Sequence, residues 1–171
     1  MPERKDVITS KGNPLTLLGP ELKIGEKAPD FQLINNDLQP VTLKNYGDKI
    51  KVISAVPSLD TNVCSIETHK FNELAAKMAS NVVIITVSMD LPFAQKRWCG
   101  ANGIDKVITL SDYKDHMFGT QYGIRIKELG LLARTIFILD KDNIIRYIQQ
   151  VPETGHEPDY NDVLKALDTL K

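Results

Sequence analysis

The sequence predicts an α/β protein with a mixed central sheet, helices on both faces and an N-terminal β-hairpin. Apolar runs of strand length alternate with segments of helical spacing along most of the chain. Strands joined through helices pair in parallel, whereas the last two apolar runs are joined by a short turn and pair antiparallel. The length of 171 residues and the lack of an interdomain linker predict one domain over residues 1–171.

The N-terminal part is predicted to contain the hairpin and then a loop-rich segment. In DVITSKGNPLTLLG, Gly12 and Pro14 mark a turn between two short runs rich in β-forming residues. Residues 24–49 are rich in turn-forming residues, so we expect only a strand near 31–34 and a helical turn near 43–46.

The remaining elements follow from the spacing of apolar residues. Five strands are predicted, at KVISAV (51–56), NVVIITVSM (81–89), KVITLSD (106–112), LLARTIFILD (131–140) and IIRYIQQV (144–151). Helices are predicted over 61–78, 90–103 and 158–170, and a short helix or irregular segment over 113–123. For the helix over 90–103, we expect Asp90 to cap the start, Pro92 to lie in the first turn, and Gly100 and Gly103 to mark the end.

The composition excludes several classes of function. A formal net charge of −1 gives no field that would recruit nucleic acid or anionic lipid. No apolar stretch is long enough to span a bilayer, and the N-terminus lacks the apolar centre of a secretory signal. The cytoplasm is therefore the expected compartment, although a mature periplasmic chain would also lack a signal.

The two cysteines, Cys64 and Cys99, are either inert core residues or partners in transient redox chemistry. They do not form a CxxC pair, and a permanent disulfide is uncommon in a reducing compartment. The three histidines are scattered, so no spacing typical of a zinc site is present and we expect no metal.

Cys64 stands where a reactive thiol is favoured. It ends the stretch PSLDTNVC, which follows a predicted strand and opens a predicted helix, and such loops form the binding crevice of an open α/β sheet. With Asp60 or Thr61 as the cap, Cys64 lies in the first helical turn, where unpaired N–H groups and the helix dipole favour a thiolate. Glu67 is interpreted as a structural first-turn acid and His69 as a solvated surface residue.

Cys99 lies late in its predicted helix, where the dipole does not favour a thiolate. It would serve better as a second thiol that attacks an oxidised Cys64. Since one cysteine opens a helix and the other closes the next, intact helices are expected to hold them farther apart than a disulfide allows. A bridge between them would then require one or both helix ends to unwind.

Three motifs carry a resemblance to a known family. Pro57, Thr61 and Cys64 fit the peroxiredoxin pattern P-x-x-x-[ST]-x-x-C. PSLDTNVC together with DLPFAQKRWCG and LLARTIFILD resembles the bacterial thiol peroxidases, the atypical two-cysteine peroxiredoxins. The resemblance extends from KGNPLTL near the N-terminus to EPDY near the C-terminus.

The resemblance implies a thioredoxin-like, three-layer fold and the reduction of hydrogen peroxide and organic hydroperoxides. Cys64 would be the peroxidatic cysteine that becomes a sulfenic acid, and Cys99 the resolving cysteine that forms an intramolecular disulfide with it. Thr61 would hydrogen-bond the thiolate and the peroxide, Arg134 would stabilise the thiolate and polarise the O–O bond, and Pro57 would shield the thiolate from water. Without the resemblance, the sequence does not choose among Arg97, Arg125, Arg134 and Arg146.

The resemblance further implies reduction by a thioredoxin-type protein, a homodimer, and no metal or organic cofactor. Three other functional interpretations compete with that of a peroxidase. A peroxide-sensing redox relay would use the same two cysteines, a general thiol–disulfide oxidoreductase would ordinarily need the absent CxxC, and a structural domain would leave both thiols inert.

Overall fold

The computed structural model describes residues 1–170, which form two β-sheets and four α-helices. The strands are β1 (Glu3–Ser10), β2 (Asn13–Leu18), β3 (Leu33–Ile34), β4 (Pro40–Val41), β5 (Ile50–Ala55), β6 (Val82–Ser88), β7 (Ile108–Ser111), β8 (Arg125–Ile126), β9 (Thr135–Leu139) and β10 (Ile145–Gln150). The helices are α1 (Asn62–Ala75), α2 (Pro92–Asn102), α3 (Met117–Gln121) and α4 (Tyr160–Asp168), with a 3₁₀ turn at Leu43–Tyr46. Among these helices, none has the length and hydropathy needed to cross a bilayer.

The larger sheet is mixed, as the sequence predicts. Its seven strands lie in the order β10-β9-β5-β6-β7-β3-β4. The central strands β5, β6 and β7 are parallel, with α1 connecting β5 to β6 and α2 connecting β6 to β7. Antiparallel pairs close both edges, β9 and β10 beside β5, and β3 and β4 beside β7. Parallel β5 and β6 therefore direct their carboxyl ends, and the loops that follow them, towards one side of the sheet.

Helices pack on both faces because successive strand residues point to opposite sides. On one face, Val52 and Ile138 pack in a cluster that includes Phe71 of α1, Val163 of α4 and Trp98 of α2. On the other face, the neighbouring strand residues pack with α3, the N-terminal hairpin and residues of the loop-rich segment. The short helix predicted between 113 and 123 is therefore α3, which packs on this second face of the sheet.

The N-terminal hairpin is confirmed, with a correction to its turn. Ser10 pairs with Asn13, so Lys11 and Gly12 alone make the turn, and both have positive φ, 50° and 78°. Two positive-φ residues form the tight turn that matches the twist of a hairpin. Pro14, predicted in the turn, lies inside β2. The strand β2 also pairs with β8, a strand that the sequence did not predict.

The helix boundaries confirm some predicted caps and correct one. Thr61 is the N-cap of α1, and Gly103 ends α2 in the left-handed conformation with φ 65°. The prediction that Asp90 caps α2 is wrong, because Leu91 occupies the N-cap position and Pro92 begins the helix. The carboxylate of Asp90 is instead directed to the loop before α1.

Candidate active site

The loop of residues 56–61 joins β5 to α1, and Cys64 lies in the first turn of that helix. The Thr61 hydroxyl accepts a hydrogen bond from the Cys64 N–H at 3.4 Å and donates one to the Ser58 carbonyl oxygen at 3.1 Å. This capping satisfies one of the unpaired N–H groups at the helix start. Cys64 is therefore held at the carboxyl end of β5 and at the positive end of α1, as the sequence predicts.

The Cys64 side chain is fully buried in a small apolar cluster with Val56 and Leu59, against which Trp98 packs. The thiol is free rather than bridged. The Arg134 Nη1 donates to Cys64 Sγ at 3.3 Å. The sulfur therefore lies beside a guanidinium and in the first turn of a helix, where positive charge and unpaired N–H groups stabilise an anion.

Arg134 reaches Cys64 because it directly precedes β9, and β9 is the neighbour of β5. Its side chain is only 2% exposed. Nη1 also forms an ion pair with Glu67 Oε2 at 2.6 Å, and Nη2 donates to the Thr154 carbonyl oxygen at 2.9 Å. Burial works to lower the pKa of Arg134, but the negative charges of Cys64 and Glu67 outweigh it and the net shift is upward. The guanidinium therefore stays charged.

Glu67 is the residue that sequence reasoning placed wrongly. It lies in the second turn of α1 rather than in the first, is fully buried, and accepts hydrogen bonds from Ser54 Oγ at 2.9 Å and from Arg134. Burial raises the pKa of its carboxyl above the ordinary value, while the charge and hydrogen bond of Arg134 oppose that rise. The signal was the spacing: residues three apart share a helix face, so Glu67 faces the sheet together with Cys64.

Asp90 holds the loop that leads to the cysteine. Oδ1 accepts from Ser58 Oγ at 2.7 Å, and Oδ2 accepts from the Leu59 N–H at 2.8 Å and from Ser88 Oγ at 2.7 Å. Asp90 follows β6, so its side chain reaches the loop after the adjacent strand β5. No local sequence pattern reveals this contact, because the partners are far apart along the chain.

A cleft of about 290 Å³ adjoins the buried thiol. Thr61 and Arg134 line it, and most of the remaining wall is apolar, with Pro57, Val63 and Leu131 among its residues. The structure therefore places Pro57, Thr61 and Arg134 along one cleft, and Thr61 and Arg134 also hydrogen-bond Cys64. A hydroperoxide with an apolar substituent would find both a cation and an apolar wall there.

Cys99 lies elsewhere, half-buried near the end of α2. Its Sγ is 3.6 Å from Thr109 Oγ1 on β7, and burial raises the pKa of the thiol although the Thr109 contact opposes the rise. Arg134, the partner of Cys64, adjoins β9, and β9 is separated from β7 by β5 and β6. Three strand spacings amount to roughly 14 Å. The structure thus holds both thiols free and does not bring them together.

His69 is not the solvated surface residue that the sequence suggested. It is half-buried, its ring centroid lies 5.7 Å from that of Trp98, and its Nε2 is 3.4 Å from Asn102 Oδ1. These contacts join α1 to α2, the helices that carry the two cysteines. Asp60, the other cap candidate, is exposed, and Thr61 caps the helix instead. Within residues 1–170, no group of three or more His, Cys, Asp or Glu side chains is placed to hold a metal ion.

Comparisons with known proteins show the family to which the chain belongs. The family model described as Redoxin matches residues 23–164. A thiol peroxidase of Oceanobacillus iheyensis is 52% identical over 160 residues, which cover 94% of this chain and 97% of the relative. A thiol peroxidase of Staphylococcus saprophyticus is 53% identical over 159 residues, with coverage of 93% and 96%.

The solved structures match the fold. The crystal structure of a peroxiredoxin-like protein from Aquifex aeolicus superposes with a TM-score of 0.90 at 44% identity, and covers 97% of this chain and 98% of that one. The expected thioredoxin-like peroxiredoxin fold is thereby confirmed. Since the family model spans most of the sequence and the relatives align over nearly all of it, the chain belongs to the redoxin family.

Proposed function

We propose that the protein is a thiol peroxidase that reduces hydrogen peroxide and organic hydroperoxides. The observation that carries the proposal is the Arg134 Nη1 placed 3.3 Å from the buried Sγ of Cys64 at a helix start. The relatives named thiol peroxidase, about half identical over nearly the whole chain, support the same activity.

The first step is nucleophilic attack by the Cys64 thiolate on the terminal oxygen of the peroxide. The S–O bond forms as the O–O bond breaks, so sulfur is oxidised to a sulfenic acid and the peroxide is reduced. The leaving oxygen takes a proton from solvent and departs as alcohol, or as water when the substrate is hydrogen peroxide. Arg134 stabilises the thiolate and the charge that develops on the leaving oxygen. Thr61 hydrogen-bonds the peroxide from the cleft, and Pro57 shields the thiolate from water.

The second step joins the two cysteines. Sulfur of Cys99 attacks the sulfenic sulfur of Cys64, a disulfide forms, and the hydroxyl leaves as water. Cys99 contacts Thr109 on β7, whereas Cys64 contacts Arg134 beside β9. The end of α2, the start of α1 or both must therefore move to allow a bond that needs Cα atoms about 4.4–6.8 Å apart. A thioredoxin-type dithiol then reduces the disulfide by exchange.

The proposal extends to the setting of the enzyme. The chain acts as one domain over residues 1–171, as a homodimer, in the bacterial cytoplasm, and it needs no metal or organic cofactor for the two steps above. Support for the chemistry comes from the two thiols themselves, which supply both electrons of the peroxide reduction.

A coupled assay tests the activity. The protein would be mixed with cumene hydroperoxide, thioredoxin, thioredoxin reductase and NADPH, and NADPH consumption would be followed. We expect turnover by the wild type, none by Cys64→Ser, and loss of sustained turnover by Cys99→Ser. NADPH consumption by Cys64→Ser at the wild-type rate would refute the assignment of the nucleophile.

A further inference from the structure

The orientation of the Arg134 side chain depends partly on the carbonyl group of Thr154, which lies outside the helices and strands. The guanidinium donates from Nη1 to Cys64 and Glu67, and from Nη2 to the Thr154 carbonyl oxygen at 2.9 Å. Among the described residues, none accepts a hydrogen bond from its buried Nε. Within residues 1–170, the Thr154 carbonyl oxygen is the acceptor of the Nη2 hydrogen bond. Because the guanidinium is planar and rigid, the position of this carbonyl also influences the direction in which Nη1 points at the Cys64 sulfur.

The segment that contains Thr154 is fixed by the N-terminal hairpin. The Thr9 N–H donates to the Pro152 carbonyl oxygen at 2.8 Å, and the Thr154 N–H donates to the Thr9 carbonyl oxygen at 2.9 Å. Residues 152–156 follow β10 and precede α4, so no regular element holds them in place. Hydrogen bonds to the N-terminal hairpin hold residues 152–154 in place instead.

The Glu153 carboxylate is the centre of this attachment. It accepts from Thr9 Oγ1 at 2.6 Å, from the Lys11 N–H at 2.9 Å and from the Gly12 N–H at 3.2 Å. The successive N–H groups of a turn form a concavity suited to an anion, and the positive φ of Lys11 and Gly12 turns theirs towards Glu153. The Gly155 N–H adds a longer contact at 3.4 Å.

The same residues form part of the cleft beside Cys64. Lys11, Glu153 and Thr154 line it together with Arg134. The hairpin turn is thus a wall of the cleft. The Glu153 carboxylate binds this turn, and the next residue, Thr154, accepts the hydrogen bond from Arg134.

We propose that Glu153 is a positioning residue for peroxide reduction, because it clamps the hairpin turn to residues 152–155 and so fixes the Thr154 carbonyl on Arg134. The inference rests on the proposed peroxidase function and adds to it a role for the N-terminal hairpin. The hydrogen bond from Thr9, with those from Gly12 and Lys11, lowers the pKa of Glu153 to about 2. The Glu153 carboxylate therefore stays ionised at the neutral pH values at which a thiolate reacts.

The test compares Glu153→Gln with Glu128→Gln. Glu128 is a matched control because its carboxylate also ties the hairpin, through the Thr16 N–H at 3.0 and 3.1 Å, but does so away from Arg134. Single-turnover oxidation by cumene hydroperoxide would be followed through the fluorescence of Trp98, the one tryptophan, which packs against the Cys64 cluster. Each change would also be combined with Cys99→Ser, and the thiolate absorbance of Cys64 would be titrated against pH in these double variants. Thermal unfolding would be measured for every variant.

We expect Glu153→Gln to slow oxidation of Cys64 about tenfold and to shift the thiolate titration to higher pH, and Glu128→Gln to change neither by more than about twofold. Thr9→Val removes one of the five donors to the Glu153 carboxylate, so it should move both readouts in the same direction by a smaller factor. This variant replaces Glu153→Gln in the test if Glu153→Gln folds poorly. Wild-type rates and titrations in Glu153→Gln and Thr9→Val would overturn the inference. Failure of the wild type itself to react with peroxide would instead overturn the proposed function.

Discussion

At the scale of single residues, one guanidinium connects the reactive sulfur to the rest of the fold. Arg134 contacts Cys64, Glu67 and the Thr154 carbonyl oxygen at once, which only a planar group with several fixed donors can do. Its value to the reaction therefore lies in geometry as well as in charge.

Replacing Arg134 by lysine separates these two contributions. The ammonium keeps the charge but is a single point that cannot reach all three partners, so Arg134→Lys should lower the rate of Cys64 oxidation about 100-fold. Stopped-flow oxidation with cumene hydroperoxide measures the rate. Arg146→Lys is the matched control, because Arg146 forms an ion pair with Asp140 on the surface. An Arg134→Lys rate within about twofold of the wild type would contradict a geometric role.

Glu67→Gln tests the buried ion pair. The change leaves Arg134 buried with its carboxylate partner gone, and loss of one member of a buried pair costs about 3–5 kcal/mol of unfolding free energy. Ser54→Ala, which removes only the hydroxyl bonded to Glu67, should cost about 1 kcal/mol. Urea unfolding of the reduced proteins measures both values, and equal losses in the two variants would show that the ion pair is not the dominant contribution.

At the scale of elements, the first turn of α1 contains both the N-cap Thr61 and the proposed nucleophile Cys64. Thr61→Val removes the acceptor of the Cys64 N–H and should lower the free energy of unfolding by about 1 kcal/mol, whereas Thr61→Ser keeps the hydroxyl and should stay close to the wild type. Urea unfolding separates the two variants. Equal stability of Thr61→Val and Thr61→Ser would show that the hydroxyl does not cap the helix.

The attachment of the hairpin predicts a pH dependence of stability. The folded pKa of Glu153, about 2, lies below the ordinary value of about 4.3, so its contribution is present above pH 4.3 and is lost as the pH falls towards 2. The Tm difference between the wild type and Glu153→Gln should be largest near about pH 6 and should shrink towards about pH 2. A difference that stays constant over this range would contradict the assignment of the shift to the clamp.

At the scale of the whole molecule, the parts that the sequence predicts are those determined locally. Hydrophobic periodicity predicts the strands and helices around the site, and the position of Cys64 after an apolar run predicts its place at a helix start. The contacts that complete the site are between residues distant in the chain. Asp90 binds the loop before α1, and Glu153 binds the hairpin turn, so no local pattern reveals either contact.

The central claim is that Cys64 reacts with a peroxide and Cys99 resolves it within one chain. The most direct test mixes the reduced protein with a slight excess of cumene hydroperoxide without reductant, counts free thiols and maps disulfides by mass spectrometry. We predict rapid loss of both thiols with a Cys64–Cys99 bond inside one chain, a sulfenic acid on Cys64 in Cys99→Ser, and no reaction in Cys64→Ser. Thiols that persist in the wild type as long as those of free cysteine would contradict the claim and leave both residues as packing residues of the core.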